Sequence, residues 1–179
     1  MNDFNEQLET SYRYRDEDIR IIGEFFPLHT SIIVATVAMD KAGADYIVTM
    51  KGGKELNVDV KRRIGEDCKK YARHGEMELA LETYSIVEDE THQKKYGWTV
   101  DPAKVTDYIL YAFDRNVCDV CYIFPYQSLK QAFIRYFKEW KSTGYSIKQQ
   151  DNGGYKSEAM FVPVSVLRNA IHSMETIRC

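Results

Sequence analysis

Cysteine is scarce in this 179-residue chain. Cys68, Cys118, Cys121 and Cys179 are too few and too unevenly spaced to form the disulfide framework of a small secreted domain. Long apolar runs are missing too, since no stretch approaches the roughly 18 residues that a membrane-spanning helix needs. The opening Met1-Asn2-Asp3-Phe4-Asn5-Glu6 is polar and acidic, the opposite of a signal peptide. Nor is there an excess of positive charge. With 24 Lys and Arg against 27 Asp and Glu, the net charge is −3, so any nucleic-acid surface must be local. These absences predict a reduced, cytoplasmic protein with no membrane contact. What is present is 44% hydrophobic content, enough for one domain over 1–179 with a substantial core. Neither an internal repeat nor a linker to a second domain is visible.

The most informative stretch runs from Ala44 to Arg63. Two segments rich in β-branched and aromatic residues flank Lys51-Gly52-Gly53-Lys54, the signal of a tight β-hairpin. In the second segment Leu56, Val58 and Val60 point one way and Asn57, Asp59 and Lys61 the other. Asp59 and Lys61 therefore share a face. The loop decides where Asp45 lies. A two-residue Gly52-Gly53 loop would set Asp45 opposite Val60 and turn it away from Asp59, because a one-residue slip changes the face. A three-residue Lys51-Gly52-Gly53 loop pairs Met50 with Lys54 and Asp45 with Asp59. The second register is expected, or Asp45 lying just before the regular ladder. Two carboxylates so placed suit Mg²⁺ or Mn²⁺, which keep several waters. Lys61 would then hold the attacking water and offset phosphate charge, an arrangement suited to phosphodiester hydrolysis.

Asp45, a gap of thirteen residues and then Asp59-Val60-Lys61 resemble the signature of the PD-(D/E)xK nuclease superfamily. The lead-in Asp40-Lys41-Ala42-Gly43-Ala44-Asp45-Tyr46-Ile47-Val48 is similar to a pattern in small phage-encoded members, and the likeness covers roughly residues 16 to 125. It implies a restriction-endonuclease-like core with Asp45, Asp59 and Lys61 catalytic, and a metal held by Asp45, Asp59, the Val60 carbonyl and an acid on the first helix. Glu24 is the implied acid, with Glu17 as fallback. DNA is the implied substrate. Between its third and fourth strands the family core carries a long helix, whereas this chain has a polar stretch over 88–106.

The remaining chain reads as an α/β mixture, with a central mixed sheet built on a hairpin meander and flanked by helices. Residues 1–15 suggest a loose start or short helix. Asp16-Glu17-Asp18 suggests an acidic first turn to a helix ending near Pro27. The apolar run 31–38 is β-prone. Arg62, Arg63, Lys69, Lys70 and Arg73 form a local basic cluster, either a solvated face or a set of phosphate contacts. Glu78 to Val87 reads as a third strand of the meander that brings Glu82 beside Asp59 and Lys61, as a further ligand or an ion-pair partner for Lys61.

Over 88–106, His92, Lys94, Lys95, Tyr96 and Trp98 combine charge with stacking surface, suited to a single strand or flipped base, while Trp98 also suits a core cap. Residues 106–113 and 118–125 read as two strands, and Cys118 and Cys121 as core thiols. Leu129, Ala132, Phe133, Tyr136, Phe137 and Trp140 mark a helix over 127–141. Asp151-Asn152-Gly153-Gly154 marks a hairpin, and Pro163 precedes a closing helix. On this reading the core spans about 16–142, and the hairpin and helix over 143–179 are accessory to it.

Two functions from different classes follow. One is a metal-dependent nuclease, with DNA as partner and a homodimer as one possible assembly. The other is a catalytically inactive protein of the same fold that inhibits or recruits a protein partner, for which the acidic balance is suited. A third possibility leaves Asp59 and Lys61 as ordinary solvent-facing strand residues.

Overall fold

The structure, a computed structural model, describes residues 3–64, 68, 72–73, 76–114 and 120–176. Its architecture is mixed α/β, with one mixed five-stranded sheet, one antiparallel sheet and, among the described residues, four helices. The first sheet has the order β1 (His29–Val34), β2 (Tyr46–Met50), β3 (Glu55–Arg63), β7 (Tyr108–Phe113), β8 (Cys121–Pro125). All its neighbours are antiparallel except β3 and β7. Along the second sheet run β4 (Ala72–Arg73), β5 (Glu76–Ile86), β10 (Lys156–Pro163) and β9 (Ile147–Asp151), with β6 (Lys95–Tyr96) also on β5.

A parallel pair needs a crossover. Here the described part of the β3-to-β7 connection includes β4, β5 and β6, all strands of the second sheet. The stretch 78–87 is therefore a strand, as its alternation requires, but not the third strand of the hairpin meander. β7 takes that place because Tyr-Ile-Leu-Tyr-Ala-Phe is buried on both faces and suits an interior parallel position.

Two apolar clusters hold the layers. Helix α1 (Asp3–Phe25) places Ile21 and Ile22, followed by Phe26, on Tyr46, Val48, Leu56, Val58 and Leu110. Because α1 begins at Asp3, Asp16, Glu17 and Asp18 lie in mid-helix and do not form its first turn. The opposite sheet face carries Ile109, Tyr111 and Phe113 into a larger cluster with Leu79 and Leu81 of β5 and Met160 and Val162 of β10. Helix α3 (Tyr126–Ser142) adds Leu129, Phe133 and Trp140 at helical spacing, and α4 (Val164–Thr176) adds Leu167, Ala170 and Ile171. The C-terminal hairpin and helix thus share this cluster, with Met160 opposite Leu81 and Val162 opposite Leu79. A short helix, α2 (Val37–Lys41), is capped by Thr36, whose hydroxyl accepts the Met39 N–H at 3.4 Å. Among the described residues no helix is long and apolar enough to cross a membrane.

Candidate active site

The site grows out of the β2–β3 hairpin. Its ladder pairs Tyr46 with Val58, Ile47 with Asn57, Val48 with Leu56 and Thr49 with Glu55. Met50 N–H donates to the Lys54 carbonyl at 2.8 Å, which leaves Lys51-Gly52-Gly53 as a three-residue loop. Gly52 and Gly53, at φ of 103° and 84°, supply the left-handed conformations that such a loop demands. Asp45 lies one residue before β2 and level with Asp59. Its N–H donates to the Val58 carbonyl at 2.9 Å, and its Oδ2 accepts the Val60 N–H at 2.6 Å. Both features of the expected register are present.

Across the parallel ladder Asp59 neighbours Ile109 and Lys61 neighbours Tyr111, so both side chains stand on the face turned from α1. Asp59 is only 2% exposed. Lys61 Nζ donates to its Oδ1 at 2.8 Å, and Lys104 Nζ lies 2.7 Å from Oδ2. Both carboxylate oxygens of Asp59 are thus met by an ammonium, and each contact favours the ionised carboxylate. A cleft of about 260 Å³ opens here, lined by Asp45, Asp59, Lys61, Glu82, Trp98 and Lys104 among others.

The electrostatics follow from burial and crowding. Burial, reinforced by the neighbouring Asp59 charge, pushes the Asp45 carboxyl up to about 7. For Asp59 burial acts in the same sense, but Lys61 and Lys104 outweigh it and hold the carboxyl below its ordinary value. Burial also opposes the Lys61 charge, and the carboxylates of Asp59, Asp45 and Glu82 overcome it, so this ammonium is held above its usual range. At Lys104 burial and the Lys61 charge prevail over Asp59, and its value falls.

Glu82 reaches the cleft from β5, in the second sheet. Its Oε2 accepts the Trp98 N–H at 3.1 Å, and its charge supports that of Lys61. Trp98 packs against the larger core cluster while lining the cleft, with Lys61 Nζ 5.9 Å from its ring centroid. Tyr96 stacks on Tyr84 at a centroid separation of 6.3 Å.

Other expected site residues lie elsewhere. Glu24 is exposed and pairs with Arg20 on α1, which covers the opposite sheet face, so it is no partner for Asp45 and Asp59. Glu17 and Asp18 likewise remain with α1, where both bind Arg62. Arg62, 9% exposed and stacked 4.2 Å from the Tyr14 centroid, is committed beneath the helix and offers no phosphate contact. Arg63 stands on the cleft-side face and donates from Nε to the Tyr111 hydroxyl at 3.0 Å. Lys69 and Lys70 lie outside the described residues, as does Cys118, and Arg73 is described only by its backbone in β4.

Lys104 is the residue that sequence reasoning missed. It sits in an aperiodic loop, 45 positions after Asp59, and belongs to no motif. The available hint was charge balance, because two acids facing one lysine leave a negative charge to be matched. Among the described residues no group of three or more His, Cys, Asp or Glu side chains is gathered in a metal-binding arrangement. Compared with known proteins, the chain matches no family, no curated sequence and no solved structure.

Proposed function

We propose that this chain is a Mg²⁺- or Mn²⁺-dependent nuclease that hydrolyses DNA phosphodiester bonds, built on a restriction-endonuclease-like core. The observation that carries this reading is the hairpin register, which sets Asp45 level with Asp59 and beside Lys61 at the foot of an open cleft.

The donors present fit a small, oxygen-seeking cation. Two crowded carboxylates, one pushed towards neutrality by burial and by the other's charge, are groups that a divalent ion would satisfy. Asp45, Asp59 and the Val60 carbonyl would hold it. When bound, the ion supplies positive charge to the phosphate and a more acidic water.

The chain's own groups supply the rest. Asp59 Oδ1 fixes the Lys61 ammonium at 2.8 Å, so Lys61 keeps its charge and its aim within the cleft. From there it orients the attacking water and offsets charge that builds on the phosphate oxygens. Val60 N–H orients the Asp45 carboxylate, and Trp98, with its backbone anchored on Glu82, lines the cleft.

One observation favours the second reading, an inactive protein of this fold that binds a protein partner. Asp59 is already matched by two lysines, so the metal-free site is close to internally neutral. A single assay separates the two. Mn²⁺ titration calorimetry on wild type and Asp59→Ala is run beside DNA cleavage on the same samples. Binding and cleavage that disappear together in the variant support the nuclease. A wild type that neither binds metal nor cuts DNA overturns it in favour of the interaction module.

A further inference from the structure

Lys104 is not explained by the motif, yet it is among the most constrained side chains of the cleft. It is 6% exposed, with its ammonium 2.7 Å from Asp59 Oδ2. The two residues that follow it are tied to the segment that precedes Asp45. Val105 N–H donates to the Ala42 carbonyl at 3.0 Å, and the Thr106 hydroxyl donates to the Gly43 carbonyl.

Gly43 makes the room. A Cβ there would come within 2.6 Å of both Cγ and Nζ of Lys104, and the φ of 94° further restricts the position to glycine. The sequence Ala42-Gly43-Ala44-Asp45 thus builds a slot that delivers a lysine to the same carboxylate oxygen that a metal would use. Lys104 holds Oδ2 at 2.7 Å, so the oxygen is already neutralised by an ammonium before any metal arrives.

A divalent ion cannot join this arrangement as it stands. Placed on Asp59 Oδ2, it would bring two further positive charges against an ammonium already there, a severe repulsion in a buried site. We infer that Lys104 is a built-in counter-ion that competes with the divalent metal for Asp59, and that metal binding displaces its ammonium from Oδ2 into the cleft. The inference rests on the nuclease reading, since it presupposes the metal. Lys104 acts through Asp59 and is a positioning residue. Its consequence is a resting state in which the acids are neutralised internally, and metal affinity is set lower than the two carboxylates alone would give.

The test is Mn²⁺ titration calorimetry on the wild type, Lys104→Met, Lys104→Gln and Lys104→Arg at one pH and ionic strength, with thermal unfolding followed with and without Mn²⁺. Removing the competing charge should tighten Mn²⁺ binding at least about tenfold in the Met and Gln variants. The Arg variant should stay close to wild type. The Mn²⁺-induced rise in Tm should be larger in the Met and Gln variants than in wild type. Gln, which keeps a polar group in the slot, decides the matter if Met does not fold. Equal or weaker Mn²⁺ binding in the folded neutral variants overturns this inference and leaves the nuclease reading standing. Absence of Mn²⁺ binding in wild type and variants alike overturns both.

Discussion

The two faces of β3 bury charge in different ways. Beneath α1, Arg62 meets Glu17 at 3.1 Å and Asp18 more closely still, and Asp18 also accepts the Tyr46 hydroxyl at 3.2 Å. Facing the cleft, Asp59 meets Lys61 and Lys104 while Asp45 crowds beside it. Both clusters combine acids with cations on neighbouring positions of one strand. The helix side is closed by α1 and Tyr14, and its guanidinium is spent on internal partners. The cleft side borders an open cavity of about 260 Å³ that Asp45, Asp59 and Lys61 line. Access, more than charge content, separates the cleft-side cluster from the one beneath the helix.

The sharpest way to break this comparison is Arg62→Ala, which leaves two acids beneath α1 without their cation. Breaking such a buried pair should lower stability by about 3–5 kcal/mol in urea denaturation, with Mn²⁺ affinity of the folded protein unchanged. Weakened metal binding would show that the two faces are not independent. Next in size is Lys61→Ala, expected to slow DNA cleavage about 10²-fold, roughly 2.7 kcal/mol, without weakening Mn²⁺ binding.

Asp45→Asn reads the burial and crowding of this carboxyl directly. In the metal-free folded protein Asp45 titrates near 7, against an ordinary value of 3.8. Between those values the folded chain keeps a proton that the unfolded chain has lost, so stability falls as pH rises through that window. Removing the titrating group should therefore make the variant more stable than wild type by about 1–3 kcal/mol at pH 8, with the gap closing towards pH 4. A gap that widens on acidification would contradict the assignment. The smallest effect belongs to Glu24→Ala, which should change stability by under about 0.5 kcal/mol and leave Mn²⁺ affinity as it was. Loss of metal binding there would return Glu24 to the site.

Local signals in the sequence carried much of this arrangement. Lys51-Gly52-Gly53 specified its own loop, and through it the register that aligns Asp45 with Asp59, because loop length and side-chain alternation are properties of neighbouring residues. The 127–141 helix was legible for the same reason, and the structure extends it only to Tyr126–Ser142. What escaped depends on tertiary pairing. The alternation over 78–87 announces a strand but not its partner, and β5 lies in the second sheet, away from the hairpin's. Glu82 still arrives at the cleft, by a different route. Arg62 looked available because its run is basic, while the acids that neutralise it stand 44 and 45 residues away on α1. Lys104 carried no periodic or motif signal, and its place is defined by the slot that Gly43 leaves.

The most direct test of the central claim is an anomalous difference map from a crystal of the wild-type protein soaked in Mn²⁺. The account predicts a peak shared by the carboxylates of Asp45 and Asp59, with the Lys104 ammonium moved off Asp59 Oδ2. A map with no peak at that pair, and Lys104 still seated on Asp59 at saturating Mn²⁺, would contradict it.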